Sequence, residues 1–335
     1  MKISIIGTGL QFSRRASVII NSKDDELVSI CGKNLEKAKK IAKKYNCNVD
    51  TSWQETIKRN NVDAIIIATP PDLHKKIAIE ALKSGKHVLC EKPLSKSIIE
   101  AKIMHNAAKN TGLVLKCGFN LRHHPAMIKA KEIIEKKQIG KLTFGRAIFG
   151  ICGRPEYEKE WRANPQNAAG GQFIEQGSHL IDLLRWYFGD IKNVASMISK
   201  DYFDKQKLDD GGFCLLRFKN GSSASMHTSL AQWINTFSFE IYGTNGYIKI
   251  EGLGGGYGEQ KLYLGKKNFN APFQEKITYF RGPDKSWINE WKEFKNSIFK
   301  KKTPLGDSYD GLQAMIIAKS CYLSNKKKKF INIYK

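Results

Sequence analysis

The chain has 335 residues, of which 41% are hydrophobic and 26% charged, enough for two domains with cores of their own and typical of a globular protein rather than a fibrous or disordered one. No apolar run approaches the ~20 residues that a membrane-spanning helix needs, and the amino terminus enters a strand at once, without signal-peptide architecture. The net charge of +24 is spread over lysine-rich helix faces, with only Lys326 to Lys329 concentrated, and no helix-turn-helix, zinc-finger or RNP pattern accompanies it, so nucleic acid and membrane rank last as partners.

Seven cysteines (Cys31, Cys47, Cys90, Cys117, Cys152, Cys214 and Cys321) include no CxxC and make an odd total. Several lie in apolar strands. Reduced packing thiols in a cytoplasmic protein fit this better than disulfides or a metal centre.

In chain order, Lys2 to Ile6 reads as a short buried strand. Gly7-Thr8-Gly9-Leu10-Gln11-Phe12 follows it and opens a helix running from Ser13 to Asn21, then a strand from Leu27 to Cys31. Two glycines after a strand permit a tight turn and close approach of backbone to a pyrophosphate at the next helix start. Phe12 stands where a third glycine is usual, so helix and strand must pack differently there. The second strand ends in Gly32-Lys33 rather than an Asp or Glu for the ribose 2′-hydroxyl. A small residue plus a cation accommodates a 2′-phosphate, which puts NADP slightly ahead of NAD; Lys33 as an ordinary loop residue is the alternative.

Asn34 caps a helix from Leu35 to Tyr45, and Ser52-Trp53-Gln54-Glu55 forms a capping box. Ala64 to Thr69 is a continuous apolar run, as expected of a strand covered on both faces. Thr69-Pro70-Pro71-Asp72 ends it, with Asp72 read as the cap of a helix to Ser84. The strand from His87 to Cys90 then stops at Glu91-Lys92-Pro93, a helix runs from Ser95 to Asn110, and a strand from Leu113 to Cys117 follows. This alternation predicts an α/β amino-terminal domain, residues 1–120, built on a doubly wound parallel sheet. In such sheets a lysine ending a strand faces the ligand crevice.

Residues 121–335 read as a second α/β domain with a large, open, mostly antiparallel sheet. The helix Pro125 to Lys137 and the strand Leu142 to Phe149 lead into an aromatic, arginine-rich stretch holding Arg154, Tyr157, Trp161 and Arg162. Strands Phe213 to Phe218, Ser223 to Ser229, Phe237 to Tyr242 and Tyr247 to Glu251 carry hairpin signals at Asn220-Gly221 and Asn245-Gly246. Helices near Trp287 to Phe299 and Tyr309 to Ser324 finish the chain. Between the arginine-rich stretch and the first of these strands lies Gly170-Gly171-Gln172-Phe173-Ile174-Glu175-Gln176-Gly177-Ser178-His179-Leu180-Ile181-Asp182. On one helix Glu175, His179 and Asp182 share a face, and a carboxylate beside a histidine fixes its tautomer for proton transfer. Ordinary polar residues at a helix start are the alternative, weakened by the paired glycines, which permit close approach of a ligand.

Gly7-x-Gly9, Glu91-Lys92-Pro93, and Gly170-Gly171 followed by Gly177-x-His179-x-x-Asp182 together resemble the Gfo/Idh/MocA oxidoreductases, over essentially the whole chain and in the right order. The resemblance implies a Rossmann domain plus an α/β domain whose open sheet supports homodimers or homotetramers, and NAD(P)-dependent hydride transfer at a sugar or cyclitol hydroxyl. It carries the lysine role to Lys92 and the acid/base histidine to His179. Glu175 stands where many members have aspartate. The dinucleotide is expected against Gly7, Thr8, Gly9, Leu10, Gln11, Phe12, Gly32, Lys33, Thr69, Pro70, Pro71, His74, Glu91, Lys92 and Asn120. Arg122, Tyr157, Trp161, Arg162 and His179 are expected to meet the substrate, a sugar that is anionic or nucleotide-linked if the guanidinium forks are available to it. Either Lys92 or His179 takes the proton, with Glu175 and Asp182 completing the catalytic set. Two other readings keep the same fold: glycoside cleavage through transient sugar oxidation, and a non-catalytic sugar or nucleotide sensor.

Overall fold

A computed structural model describes residues 1–200, 202–203, 207–269 and 274–333. They fall into two units, one comprising Met1–Phe119, Gln166–Ala169 and Trp287–Met315, the other Asn120–Pro165, Gly170–Ser286 and Ile316–Lys335.

The first unit is built on strands β1 (Lys2–Ile6), β2 (Glu26–Cys31), β3 (Asn48–Asp50), β4 (Ala64–Ile67), β5 (His87–Cys90) and β6 (Leu115–Cys117). All pairs are parallel, in the order β3-β2-β1-β4-β5-β6. The order reverses between β1 and β4, and ligands of such sheets bind at the carboxyl ends of the strands there. Every residue of β4 is buried, which explains its unbroken apolar run. The crossovers are α1 (Leu10–Ile20), α2 (Leu35–Tyr45), α3 (Trp53–Lys58), α4 (Pro71–Lys83) and α5 (Ile98–Thr111).

Local chemistry sets their ends. Asn34 accepts from the Lys37 amide and Ser52 from that of Glu55. The helix α4 starts earlier than its sequence indicated: Pro71 fills the first helical position, where a missing N–H costs nothing, and Asp72 falls within the first turn. The cap of α5 is Ser97, not Ser95. Gly112 ends that helix in the left-handed region at φ 68°, a conformation open to glycine.

In the second unit, α6 (Pro125–Glu135) precedes β7 (Leu142–Cys152), and the short α7 (Gln172–Glu175) precedes α8 (Gly177–Phe188). The strands β8 (Ile191–Ser199), β9 (Gly211–Phe218), β10 (Ser223–Ser229), β11 (Ala231–Gly243), β12 (Gly246–Glu251), β13 (Gln260–Lys266) and β14 (Glu275–Phe280) follow. The helix α9 (Ser286–Phe299), which belongs to the first unit from Trp287 on, α10 (Ser308–Lys327), which passes from the first unit to the second after Met315, and the strand β15 (Ile331–Asn332) complete the chain. The sheet runs β14-β13-β12-β11-β7-β10-β9-β8-β15 and is antiparallel except where β10 pairs with β7. Both Asn-Gly pairs sit at hairpins, between β9 and β10 and between β11 and β12.

Side chains of α8 and α10 cover one face, with Phe188 stacked on Phe218 and the Cys321 and Cys214 sulfurs 3.4 Å apart. Among the described residues no helix is long and apolar enough to cross a membrane, and no cluster of three or more His, Cys, Asp or Glu side chains could hold a metal ion.

Candidate active site

At the switch point of the parallel sheet the chain leaves β1 through Gly7, whose φ is 114°. A Cβ there would lie 2.4 Å from the Ala68 carbonyl oxygen, so only glycine lets this loop press against the end of β4. The Gly7 amide donates to the Cys31 carbonyl at 2.8 Å, tying the loop to β2 as well. Gly9 precedes α1 with no side-chain cap, and a Cβ on it would meet nothing within 4 Å. The loop is therefore held from below and open above. Beside it the Thr69 hydroxyl is buried without a hydrogen-bond partner among the described residues. An open glycine turn, an uncapped helix start and an orphaned hydroxyl fit the phosphates and sugars of a dinucleotide.

Not every side chain expected there faces outward. Phe12 is buried and meets Tyr45 edge-to-face at 5.5 Å. Its amide donates to Gly9. The missing third glycine is thus core packing between α1 and α2, and the Phe12 ring is turned away from a dinucleotide. Leu10 is exposed, and Gln11 accepts from Arg14 at 3.2 Å. Gly32 abuts Thr8: a Cβ at 32 would come within 2.4 Å of the Thr8 hydroxyl oxygen. Lys33 is exposed.

Lys92 leaves the carboxyl end of β5 half-buried, in a turn closed by a cis Lys92-Pro93 peptide. Glu91, before it, bonds Arg15 of α1 at 2.7 Å. His74 of α4 is fully buried, its Nε2 2.8 Å from the Thr69 carbonyl and its Nδ1 3.1 Å from that of Pro93. With both ring nitrogens against backbone, His74 braces this turn instead of presenting itself to a ligand. Asn120 belongs to the second unit, where its side-chain amide donates to the Ser286 hydroxyl at 3.0 Å.

In the second unit the histidine motif lies on two helices, not one. The α7 helix ends at Glu175, Gln176 is the hinge, and the His179 amide donates to the Gln176 carbonyl three residues back at 3.1 Å. The His179 side chain is buried with its ring 6.0 Å from that of Phe149 on β7, and Phe149 is backed in turn by Phe237 and Tyr257. Gly177 brings the start of α8 close to β10, where a Cβ would sit 3.0 Å from the Met226 methyl.

Asp182, one turn further on, takes both arms of the Arg122 guanidinium, at 2.7 and 2.5 Å, in a buried fork-to-fork pair. Such bidentate pairs fix geometry as well as charge, and removing one partner of a buried pair costs ~3–5 kcal/mol. Arg122 also lies over Trp186.

Glu175 has its own cluster. Its carboxylate lies 3.6 Å from Arg162, which stacks 4.4 Å from the Trp161 ring and bonds Glu160 at 3.4 Å. Arg154 forks onto the same Glu160. Burial, and then the charge of Glu175, pushes the Tyr157 phenol well above its ordinary range, keeping it protonated. The expected substrate residues Tyr157, Trp161 and Arg162 thus gather around Glu175, while Arg122 joins Asp182.

The paired glycines serve a different purpose from ligand approach. A Cβ on Gly170 would strike the Tyr322 hydroxyl at 2.6 Å, and one on Gly171 would strike the Asp209 backbone oxygen at 2.2 Å. Asp209 accepts from the Gly171 and Phe173 amides at 3.0 and 2.7 Å and from the Tyr322 hydroxyl at 2.7 Å. It caps α7 from a distant loop and so steadies Glu175. Burial raises its carboxyl against these bonds. Sequence spacing had no way to find Asp209, because a cap contributed from 36 residues away leaves no local pattern.

The model of the GFO/IDH/MocA oxidoreductase family, with its NAD-binding Rossmann fold, matches residues 1–119, and the model of the family's C-terminal domain matches residues 127–249. Levoglucosan dehydrogenase of Pseudarthrobacter phenanthrenivorans is 30% identical over 243 residues, 64% of this chain and 62% of that one, so the alignment spans less than two thirds of that relative. The 1,5-anhydro-D-fructose reductase of Ensifer adhaerens is 30% identical over 231 residues, 68% of this chain and 69% of that one. Among solved structures, levoglucosan dehydrogenase in complex with NADH and levoglucosan superposes with a TM-score of 0.90 at 25% identity, covering 100% of this chain and 99% of the other. A putative NADPH-dependent oxidoreductase from Desulfitobacterium hafniense gives 0.89 at 25% identity, covering 99% and 97%. With an open glycine turn at the sheet's switch point, a lysine ending β5, and both family models matched in order, the chain belongs to the GFO/IDH/MocA family of NAD(P)-dependent oxidoreductases.

Proposed function

We propose that the protein oxidises a ring hydroxyl of a sugar to a ketone, or runs the reverse reduction, with His179 and Lys92 as the groups that handle the oxygen. The observation that carries the reading is the setting of His179: a buried imidazole on the first turn of α8, flanked by the Glu175–Arg162 cluster and the Arg122-held Asp182. The dinucleotide, when bound, takes or gives the hydride at its nicotinamide ring. The backbone of Gly7, Thr8 and Gly9, with the hydroxyl of Thr69, would hold its phosphates and sugars. In the direction of oxidation His179 takes the hydroxyl proton, and the Lys92 ammonium bonds the oxygen as carbonyl character develops. Asp182, clamped by Arg122, orients the helix bearing His179. Glu175, with Tyr157 and Trp161, lines the sugar side.

A neutral cyclic sugar has the better support. The relatives named for levoglucosan and 1,5-anhydro-D-fructose carry the names of uncharged rings. Arg122, Arg154 and Arg162 each face a carboxylate of the chain, which leaves less charge for the anionic or nucleotide-linked sugar that the arginines alone would favour. For the cofactor we propose NADP with a slight preference over NAD, because Gly32 and Lys33 provide no carboxylate for a ribose hydroxyl. We further propose a cytoplasmic homodimer or homotetramer, associating through the exposed face of the nine-stranded sheet.

The test is turnover on a panel of neutral, acidic and nucleotide-linked sugars with wild type, Lys92→Met and His179→Asn. Losses of ~10²–10⁴ in kcat, with nicotinamide dinucleotide still bound, are expected for both variants. Wild-type turnover in either would remove that residue from the reaction. Release of an aglycone without net change in nicotinamide absorbance would favour glycoside cleavage instead.

A further inference from the structure

The geometry points to Arg15 and His74 as positioning residues that hold the Lys92 turn from its two sides, an inference resting on the role proposed above for Lys92. On the amino-terminal side, the Arg15 Nε donates to the Glu91 carboxylate at 2.7 Å while its Nη1 donates to Glu290 of α9 at 2.5 Å. All three side chains are buried, and the Trp287 ring lies 4.6 Å from the guanidinium carbon. Gly118 closes the packing: a Cβ on it would come within 3.0 Å of both the Arg15 Nη2 and the Glu91 Oε2. On the other side, the His74 Nδ1 sits 3.1 and 3.3 Å from the carbonyl oxygens of Pro93 and Leu94, and its Nε2 sits 2.8 Å from that of Thr69.

The backbone between them is also fixed. The Glu91 amide donates to Ile67 on β4, and the Gly118 amide donates to Cys90. Lys92 therefore has one neighbour's carboxylate and the other neighbour's carbonyl locked, each by a different crossover helix. Arg15 lies on α1, which starts at the glycine turn, and His74 on α4, which follows Thr69-Pro70. The two helices that would meet the dinucleotide thus set where the lysine stands. A flexible four-carbon side chain delivers an ammonium accurately only if its Cα does not wander. Neither Arg15 nor His74 is exposed, so each acts through Lys92 and not by touching a ligand.

The experiment compares Arg15→Lys and His74→Leu in the wild-type and Lys92→Met backgrounds, measuring kcat and dinucleotide affinity by fluorescence titration. Arg15→Lys keeps the buried charge but cannot fork between two carboxylates. Each variant is expected to lower kcat about tenfold or more in the wild-type background, with the dinucleotide Kd within about threefold. In the Lys92→Met background the same changes are expected to lower the residual turnover less than about twofold, since the group they position is gone. Equal losses in both backgrounds, or loss of dinucleotide affinity in step with kcat, would overturn the inference as general damage. Should His74→Leu fail to fold by circular dichroism, His74→Asn, which keeps a donor toward the Pro93 carbonyl, is read by the same criteria. Wild-type turnover in Lys92→Met would sink the role of Lys92 itself. An inactive Lys92→Met beside fully active Arg15→Lys and His74→Leu would sink the positioning inference alone.

Discussion

Thr8 decides what can stand at position 32. Its hydroxyl and methyl occupy the space a side chain there would need, 2.4 and 2.7 Å from the Cβ of any replacement for Gly32. A ribose-binding carboxylate cannot be installed at 32 while Thr8 remains. Gly32→Asp alone is expected to weaken NADH and NADPH alike, through strain on the glycine turn. Combined with Thr8→Ala it is expected to turn the preference toward NADH, where an acidic side chain bonds the 2′-hydroxyl. Lys33→Glu is expected to weaken NADPH about tenfold or more, the loss of one charge-assisted hydrogen bond of ~1.5–3 kcal/mol, and NADH less than twofold. Fluorescence titration of both dinucleotides checks this, and unchanged affinities for both would take Lys33 out of the cofactor site. At this scale the places of Gly7 after β1 and Lys92 after β5 were legible because strand, turn and helix follow one another within a few residues of each. The Arg15–Glu91–Glu290 network was not, since its partners are 76 and 275 positions apart and no spacing rule reaches that far.

The helix α9 shows how distant segments complete an element's setting. Its Trp291 Nε1 and Lys295 ammonium donate to the Asp25 carboxylate at 2.8 and 2.7 Å, and the Met1 ammonium lies 3.1 Å from the other oxygen. Burial raises the Asp25 carboxyl, but the bonds from Lys295, Ser22, Trp291 and the amino terminus outweigh it and bring it from 3.8 down to about 2. A carboxyl lowered in the folded state contributes stability that is present above its unfolded pKa and disappears as pH falls through the folded one. Wild type is therefore expected to lose this contribution between pH 3.8 and about 2, and Asp25→Asn to be less stable at pH 7 with a flatter curve through that window. Urea midpoints by circular dichroism at pH 5, 3 and 2 compare the two, and parallel curves would dismiss the clasp. Elements were readable where a local rule governs them, as at the Asn34 and Ser52 caps and the all-apolar β4. Others were not. Strands β8, β13 and β14 escaped notice because their lysines and half-buried positions blur a two-residue period. The turn at Gln176 splits a run that has the periodicity of one helix, a choice made by packing of Gly177 on β10 and by Asp209 at the start of α7.

For the molecule as a whole the open question is what the uncovered face of the nine-stranded sheet meets. Along β9 burial alternates, leaving Phe213 61% and Leu215 56% exposed. Met197 on β8 and Phe144 on β7 add to the same run of exposed apolar side chains, and a groove of about 670 Å³ is lined by Phe144, Leu215 and Phe330. Contiguous apolar surface of this kind marks an interaction site. Two of its charged pairs are made within the sheet, Arg146 with Glu240 at 2.6 Å and Lys249 with Glu251 at 2.5 Å, and Arg217 donates to the Ser223 hydroxyl at 2.8 Å, so covering the face leaves fewer lone ions in the interface. A second copy of the chain brings the same face, and a two-fold contact needs a self-complementary patch. The net charge of +24 opposes that association by a repulsion that salt confines to about a Debye length, ~10 Å at 0.1 M. Light scattering on a sizing column is expected to find a dimer or tetramer that tightens as salt is raised from about 0.02 to 0.5 M, where screening weakens repulsion and apolar burial persists. Leu215→Glu together with Phe213→Ser is expected to give monomers with an unchanged circular dichroism spectrum. An assembly that survives both substitutions, or dissociates as salt rises, would mean that copies of the chain meet through some other surface.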